Sequence, residues 1–272
     1  MDTLPHGFGD VELHAALDVA IEAADAAARI HRAHQGGSFA TRTKSTDIDL
    51  VTEVDTRSEA AIREVIAEYY PDHAVLGEEQ GQDATARCRW IVDPLDGTVN
   101  YAHGFPFYCV SIALEVDGQV LVAVVHDTAN GERFTALTGR GAFVDGRRLH
   151  VSGTTDLRSS IISTGFSYDL ATIEQNVPLL ARALASTQGI RRAGSAALDI
   201  CYVGAGRVDA FWELRLNAWD VAAGLLIVRE AGGTVTGPDG SPYRWDDEAF
   251  VASNGALHAR VLELLNLGQA LA

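Results

Sequence analysis

The sequence predicts a layered sandwich of helices and sheets, α/β or α+β, on three observations. Apolar residues recur at three and four between Asp10 and about His34. They alternate at two through the stretch that follows Phe107. After about His150, short strands and helices take turns. The 272 residues suffice for one large domain or two intimate halves. The change of texture divides them into an N-terminal α+β half, 1–150, and a C-terminal α/β half, 151–272.

The elements follow in order. Leu13, Leu17, Ile21, Ala24 and Ala28 make one apolar stripe, a helix that HQGGS ends. A second helix spans Thr56 to Tyr70, with Ala60, Ile62, Val65 and Ile66 apolar and Pro71 closing it. Short strands come next at Ala74–Leu76 and Trp90–Val92. YCVSIALEV and QVLVAVVHD flank Asp117-Gly118, a tight-turn pair, and form a hairpin. GERFTAL and GAFVDGRRL continue as strands, so the first half reads as helices on an antiparallel sheet. Then come strand SIIST, helix Ile173–Ser186, strand Gly189–Arg192, helix Ser195–Gly204, strand VDAFWEL and helix Trp219–Ala231. Strands GGTVT and AFVASN precede a last helix from Ala256 to Leu267. No repeat or long linker separates the halves, so they share an interface. The strand order is not readable.

Lys plus Arg number 21 against 37 Asp plus Glu, a formal charge of −16. That balance opposes binding to a nucleic-acid backbone, which needs a cationic face. It suits a soluble protein that holds cations. Cys88, Cys109 and Cys201 are odd in number and lack CxxC spacing, so neither a disulfide framework nor a zinc finger is expected and the compartment is a reducing cytoplasm. The first residues lack a signal peptide's basic and apolar regions, and no stretch reaches the roughly 18 apolar residues of a membrane span.

Acids gather beside structure punctuators at four places: TEVD ending at Asp55, GEE at Gly77–Glu79, DPLDGT at Asp93–Thr98, and WD at Trp219–Asp220. Singly, such acids are most often solvated loop groups or helix caps. DPLDGT is the most informative. Pro94 biases Asp93 toward extended geometry, Gly97 permits an unusual backbone angle, and a short helix can begin at Thr98, where amides can hold an anion. Grouped hard oxygens select Mg²⁺ or a similar ion, which would make two carboxylates at a buried strand end tolerable. Haloacid-dehalogenase phosphatases space their two aspartates by two; Asp93 and Asp96 are three apart with Pro94 between, which excludes a phospho-aspartate intermediate. The alternating ligands of an EF-hand are absent. In WDVAAG, Asp220 lies at a helix start, and Ala222, Ala223 and Gly224 permit close packing.

GEE, WIVDPLDGTVNYAHGFPFYCVSIAL and AWDVAAGLLIVREAGG, in that order, resemble the signatures of the inositol monophosphatase family, Mg²⁺-dependent and lithium-sensitive phosphatases. The resemblance covers nearly the whole chain. It implies an α+β fold, a five-layer αβαβα sandwich, usually as a homodimer. It implies that Glu78 binds a first Mg²⁺, that Asp93 bridges two, that the Leu95 carbonyl joins the first, and that Asp96 and Asp220 hold the second. Asp55 would partner Thr98 and touch a third ion. Gly97 and Thr98 would give amides to phosphate. Glu213 would hold substrate hydroxyls, with Gly194, Ser195 and Ala196 lining the sugar pocket, and Lys44 would lie near the metals. Water, oriented by Glu78 and Thr98, would attack phosphorus directly. The expected substrate is a small phosphate monoester, myo-inositol monophosphate first, with histidinol phosphate and fructose 1,6-bisphosphate as alternatives. An alternative of another class is a non-catalytic partner in an RNA-processing or transcription complex; neither direct nucleic-acid contact nor membrane association is expected.

Other residues near these motifs read as structural. His103 is not needed as a base, Cys109 and Cys201 fall in apolar runs, and Trp212 packs. Arg191 and Arg192, just before Gly194, stand open between phosphate contact and a subunit interface.

Overall fold

A computed structural model describes residues 4–5, 7–36, 41–43, 50–81, 86–167 and 169–271. Lys44 lies outside the described residues. Helix α1 (Asp10–His34) comes first. A short antiparallel pair, β1 (Thr41–Thr43) and β2 (Leu50–Thr52), leads into α2 (Glu53–Tyr69). Then come β3 (Ala74–Gly77), β4 (Cys88–Asp96), the short α3 (Thr98–His103), β5 (Cys109–Val116) and β6 (Gln119–Asp127). Strands β7 (Arg133–Leu137), β8 (Gly141–Val144) and β9 (Arg147–Arg148) complete this run. The rest is β10 (Ile161–Thr164), α4 (Leu170–Ser186), β11 (Gly189–Arg191), α5 (Ala196–Gly204), β12 (Ala210–Leu214) and α6 (Ala218–Glu230). Strands β13 (Thr234–Thr236) and β14 (Ala249–Ser253) and helices α7 (His258–Leu265) and α8 (Leu267–Ala270) close the chain.

Strands β3 to β9 form a seven-stranded sheet in sequence order. Only β3 and β4 run parallel within it; each later pair is antiparallel. The second sheet has five strands in the order β11-β10-β12-β14-β13. There β10 is parallel to both neighbours, while β14 opposes β12 and β13.

Side-chain alternation sets the layers. Trp90, Val92, Ile112 and Leu114 leave the first sheet toward Leu13, Ala20 and Ala24 of α1 and Ile62 and Ile66 of α2. Ile91, Ala113, Ala123 and Val125 leave its other face toward Leu198 and Cys201 of α5 and Ala223 and Ile227 of α6. Those two helices turn Ile200, Val221 and Leu225 to Phe211 and Phe250 of the second sheet. Its far face, with Ala210, Trp212 and Val251, is covered by Leu179 of α4 and Val261 of α7. The result is αβαβα, with the two sheets on either side of residue 150 and α5 and α6 shared between them. A helix between two sheets must be apolar all round, and α6 is buried without a break from Val221 to Val228. A Cβ on Gly224 would come within 2.6 Å of the Ile200 side chain, so α5 and α6 approach at a separation that only glycine permits.

Several boundaries differ from the sequence reading; helix α4, for one, begins at Leu170 rather than Ile173. Helix α2 begins at Glu53 because Thr52 and Asp55 form a capping box: Val54 N–H donates to Thr52 Oγ1, and Thr52 N–H donates to Asp55 Oδ2. Asp55 therefore sits in the first helical turn rather than before it. Strand β4 runs on from Val92 through Asp96, with its register against β5 slipping between Asp93 and Asp96. The last helix breaks at Asn266, whose φ of 46° is left-handed. The β1–β2 pair has no counterpart in the sequence reading. The hairpin turn is as expected: Asp117 and Gly118 have φ of 51° and 79°, both central residues being left-handed.

Candidate active site

Strand β4 delivers the first two acids. Since Ile91 points toward α5 and α6, period two sends Asp93 the same way, against the N-terminal end of α6. Asp93 is buried, and Leu95 N–H donates to its Oδ1 at 2.9 Å. Pro94 between them has no N–H, and its carbonyl is held from α1: His31 Nε2 lies 3.0 Å away. A carbonyl only accepts, so Nε2 carries the proton, and the Thr128 hydroxyl donates to bare Nδ1 at 3.0 Å. Burial pushes His31 down to about 3, so the ring is neutral.

Past the slip, Asp96 turns to α5. Its Oδ2 accepts from Ser195 Oγ at 2.6 Å and from Ala197 N–H at 2.7 Å, capping a helix that belongs to the middle layer. Gly97 follows with φ of 94°; a Cβ there would meet the Phe107 carbonyl at 2.9 Å. Thr98 opens α3, and Asn100 Nδ2 donates to the carbonyls of Phe107 at 2.7 Å and Ala193 at 2.9 Å. That amide ties α3 to the Gly194 loop. Asp220 comes from the first turn of α6, where Asn217 N–H donates to its Oδ2 at 2.7 Å. Ser111 Oγ on β5 donates to the Trp219 carbonyl at 3.3 Å, pinning that turn over the first sheet.

These elements enclose a cavity of about 480 Å³ lined by Glu78, Asp93, Asp96, Thr98, Ser195 and Asp220. Leu95, Gly97, Gly194, Ala196 and Glu213 also line it. Asp55 does not; it is fully buried one hydrogen bond behind, with Thr98 Oγ1 donating to its Oδ1 at 2.9 Å. Burial, then Glu78, Asp96 and Asp220, drive Asp93 well above the usual carboxylate range. Asp220 keeps some surface open to the cavity, yet lost hydration, followed by Glu78 and Asp96, raises it well above the usual carboxylate range too. Burial raises Asp96 too, and the donors Ser195 and Ala197 restrain it.

Among the described residues, no three Asp, Glu, His or Cys side chains are grouped closely enough to hold a metal ion as they stand. The acids share a field without closing on one point. At an effective dielectric of 20, two like charges about 4 Å apart repel by about 4 kcal/mol, so this cavity favours either protons or a cation. Its donors are all oxygen, which fits Mg²⁺ and not a soft metal.

Acids from three separated stretches of chain thus meet beside a threonine on an αβαβα sandwich. A profile of the inositol monophosphatase family matches residues 12–269. The chain belongs to the inositol monophosphatase family. It is 41% identical over 261 residues to an inositol-1-monophosphatase of Synechocystis sp., covering 95% of this chain and 91% of that one. It is 44% identical over 213 residues to Nus factor SuhB of Pseudomonas aeruginosa, covering 76% and 79%. A Thermotoga maritima IMPase superposes with a TM-score of 0.88 at 36% identity, over 95% and 100% of the two chains. An IMPase/NADP phosphatase solved with Mg²⁺ and phosphate superposes at 0.83 with 26% identity, over 93% and 96%. Membership makes the chain a Mg²⁺-dependent phosphoric monoester hydrolase.

In this inositol monophosphatase fold Glu213 also lines the cavity, on β12 two positions from Phe211. A Cβ on Gly165 would fall 1.9 Å from Glu213 Oε2, so the absent side chain is where the carboxyl fits. Burial lifts Glu213 to about 8, with Asp199 and Asp96 adding and Arg192 opposing. Both arginines are exposed, but Arg192 lines the cavity, with its guanidinium 5.9 Å from the Phe166 ring centre, whereas Arg191 bonds its own strand. His103 is exposed at the end of α3 and does not line the cavity. Trp212 packs in the outer layer, its Nε1–H donating to Asn176. Cys109 is buried but not merely a core thiol: its Sγ lies 3.8 Å from Asp96 Oδ2.

The sequence reading missed His31, Gly165 and Asp199. Each works through a partner at least 14 positions away, and no local pattern marks it. The one available signal was His31 itself, a ring on the buried stripe of α1.

Proposed function

We propose that this chain hydrolyses a small phosphate monoester, myo-inositol monophosphate first, using two Mg²⁺ ions with Asp55 beside a third position. Glu78, Asp93, the Leu95 carbonyl, Asp96 and Asp220 would hold the ions. The observation that carries the reading is the meeting of Glu78, Asp93, Asp96 and Asp220 in one cavity with Thr98. Bound Mg²⁺ neutralises a phosphate dianion and makes a neighbouring water more acidic. The protein's own groups then position and move the proton. With the Thr98 hydroxyl donating to Asp55, or to the Leu95 carbonyl at 3.0 Å, its oxygen is left to accept from the water, and Glu78 would receive the water's proton. The amides of Gly97 and Thr98 face the phosphate. Glu213 and the loop Gly194, Ser195 and Ala196 read the alcohol. A carboxyl titrating at about 8 is largely protonated at neutral pH, so it donates as well as accepts, which suits paired hydroxyls. The volume lies at the lower end of the ~300–1,000 Å³ typical of small-molecule sites.

Phosphate release from inositol, sugar, bisphosphate and amino-alcohol esters tests this. Inositol monophosphate should turn over faster than histidinol phosphate or fructose 1,6-bisphosphate, only with Mg²⁺, and LiCl should slow it. No Mg²⁺-dependent release from any ester would end the proposal. A homodimer in the cytoplasm belongs to the same reading, and light scattering on the purified protein reads its mass. No helix among the described residues is long and apolar enough to cross a membrane.

A second reading rests on the relative named Nus factor SuhB: a partner role in a transcription complex. The charge of −16 opposes direct RNA contact. Capture by RNA polymerase, unchanged when Asp93 is replaced by Asn, would support it.

A further inference from the structure

Helix α2 carries a second fully buried acid, Glu59, one turn beyond Asp55 and on the same face. Its carboxylate lies under the segment that bears Glu78. Glu79 N–H donates to Glu59 Oε2 at 2.7 Å, and Gln80 N–H donates to Oε1 at 3.2 Å. Arg63, one turn further along α2, donates through Nε to Oε1 at 2.8 Å and balances the buried charge. The segment is closed by an antiparallel bridge between Gly77 and Gly81. A Cβ on Gly77 would come within 2.5 Å of the Glu59 carboxyl carbon, so glycine is what lets the carboxylate sit there.

We propose that Glu59 is a positioning residue that fixes the direction in which Glu78 enters the cavity. With Asp55 holding Thr98, a single rigid helix then sets both groups that handle the attacking water. A buried carboxylate bonded to two loop amides is hard to displace, since breaking it leaves an uncompensated charge and two orphan donors. The G-E-E stretch follows from this arrangement: glycine for room, Glu78 for the cavity, and the next two amides for the clamp. The inference rests on the reading that Glu78 binds Mg²⁺.

Mg²⁺ titration calorimetry on the purified, metal-stripped protein tests it, with far-UV circular dichroism and melting in chelator as checks on the fold. Glu59→Gln should weaken Mg²⁺ binding roughly tenfold, the scale expected when a group orienting a metal ligand is lost. Gly77→Ala, which displaces the carboxylate from the loop side, should do the same if Glu59→Gln fails to fold. Ile66→Val, in the same helix but outside the clamp, should lower the melting temperature without moving the Mg²⁺ midpoint. Midpoints within twofold of wild type for the clamp variants, or matched by Ile66→Val, would show that Glu59 only stabilises the fold. Glu78→Gln separates the two ideas: if it binds Mg²⁺ as wild type does, the metal reading of Glu78 fails whatever the Glu59 variants do.

Discussion

Thr98 Oγ1 and Asp55 Oδ1 lie 2.9 Å apart across 43 positions of sequence. Asp55 is saturated with donors: Oδ2 takes the Thr52 amide at 2.8 Å and the Thr52 hydroxyl at 2.5 Å. It can only accept, and the Leu95 carbonyl, 3.0 Å from Thr98 Oγ1, is the hydroxyl's other acceptor.

Replacing Thr98 by Val removes the hydroxyl and should lower kcat about 100-fold or more, the usual scale of positioned proton transfer. Thr98→Ser should restore most of the rate. Asp55→Asn puts an amide donor among donors, so it should lose comparable rate and also weaken the α2 cap by about 1 kcal/mol. Steady-state kinetics with thermal melts resolves both effects; a Thr98→Val enzyme with near-normal kcat would remove the hydroxyl from the reaction.

Without metal, the acid cluster makes stability depend on pH. Asp93 and Asp220 are raised well above their ordinary value, and Glu213 stands at about 8. Groups raised on folding stabilise below the ordinary carboxylate range, and that contribution is lost as pH rises through the folded values. The melting temperature in chelator should therefore fall from about pH 5 to pH 8. Mg²⁺ at about 100 times its Kd should add about 2.7 kcal/mol and flatten the slope. Identical curves with chelator and with Mg²⁺ would argue against a cation among these acids.

His31 acts in the opposite sense. Its folded value of about 3 lies below the ordinary 6.5, so the unfolded chain binds the proton more readily. Stability is present above pH 6.5 and is lost as pH falls toward 3, at up to about 1.4 kcal/mol per unit. His31→Gln keeps a donor to the Pro94 carbonyl but cannot titrate. The difference in unfolding free energy between wild type and variant should therefore shift against wild type between pH 6.5 and 4.5; a constant difference would mean the ring is charged in the fold.

Gly165→Ala tests the proposal that Glu213 reads the substrate's alcohol. The new methyl cannot coexist with the Glu213 carboxyl where it stands, 1.9 Å away. KM for inositol monophosphate should rise about tenfold, which corresponds to about 1.4 kcal/mol. Hydrolysis of an aryl phosphate without hydroxyls should change little. Equal losses on both esters would place the damage at the phosphate instead.

Several features were legible because they are local. The span of α1 follows from its apolar stripe. The Asp117-Gly118 turn follows from two residues that tolerate left-handed angles. The placement of Asp93 and Asp96 at a strand end before a short helix follows from Pro94, Gly97 and the apolar run before them. The start of α2 was misjudged because Thr52 and Asp55 cap it together, and the cap reads as loop chemistry unless the reciprocal pair is noticed.

By itself, the sequence determined which face of each element is apolar, where the tight turns fall, and which acids stand next to structure breakers. Those are properties of neighbours along the chain. Only the tertiary structure decided which carboxylates are solvated and which are buried. Glu59 on α2 looks like any polar residue of an amphipathic helix until the Glu79 amide is seen to donate to it. Glu213 looks like a strand acid until Gly165 leaves it room. A carboxylate's environment is set by desolvation and by donors that arrive from distant segments, and that information exists only once the layers have closed.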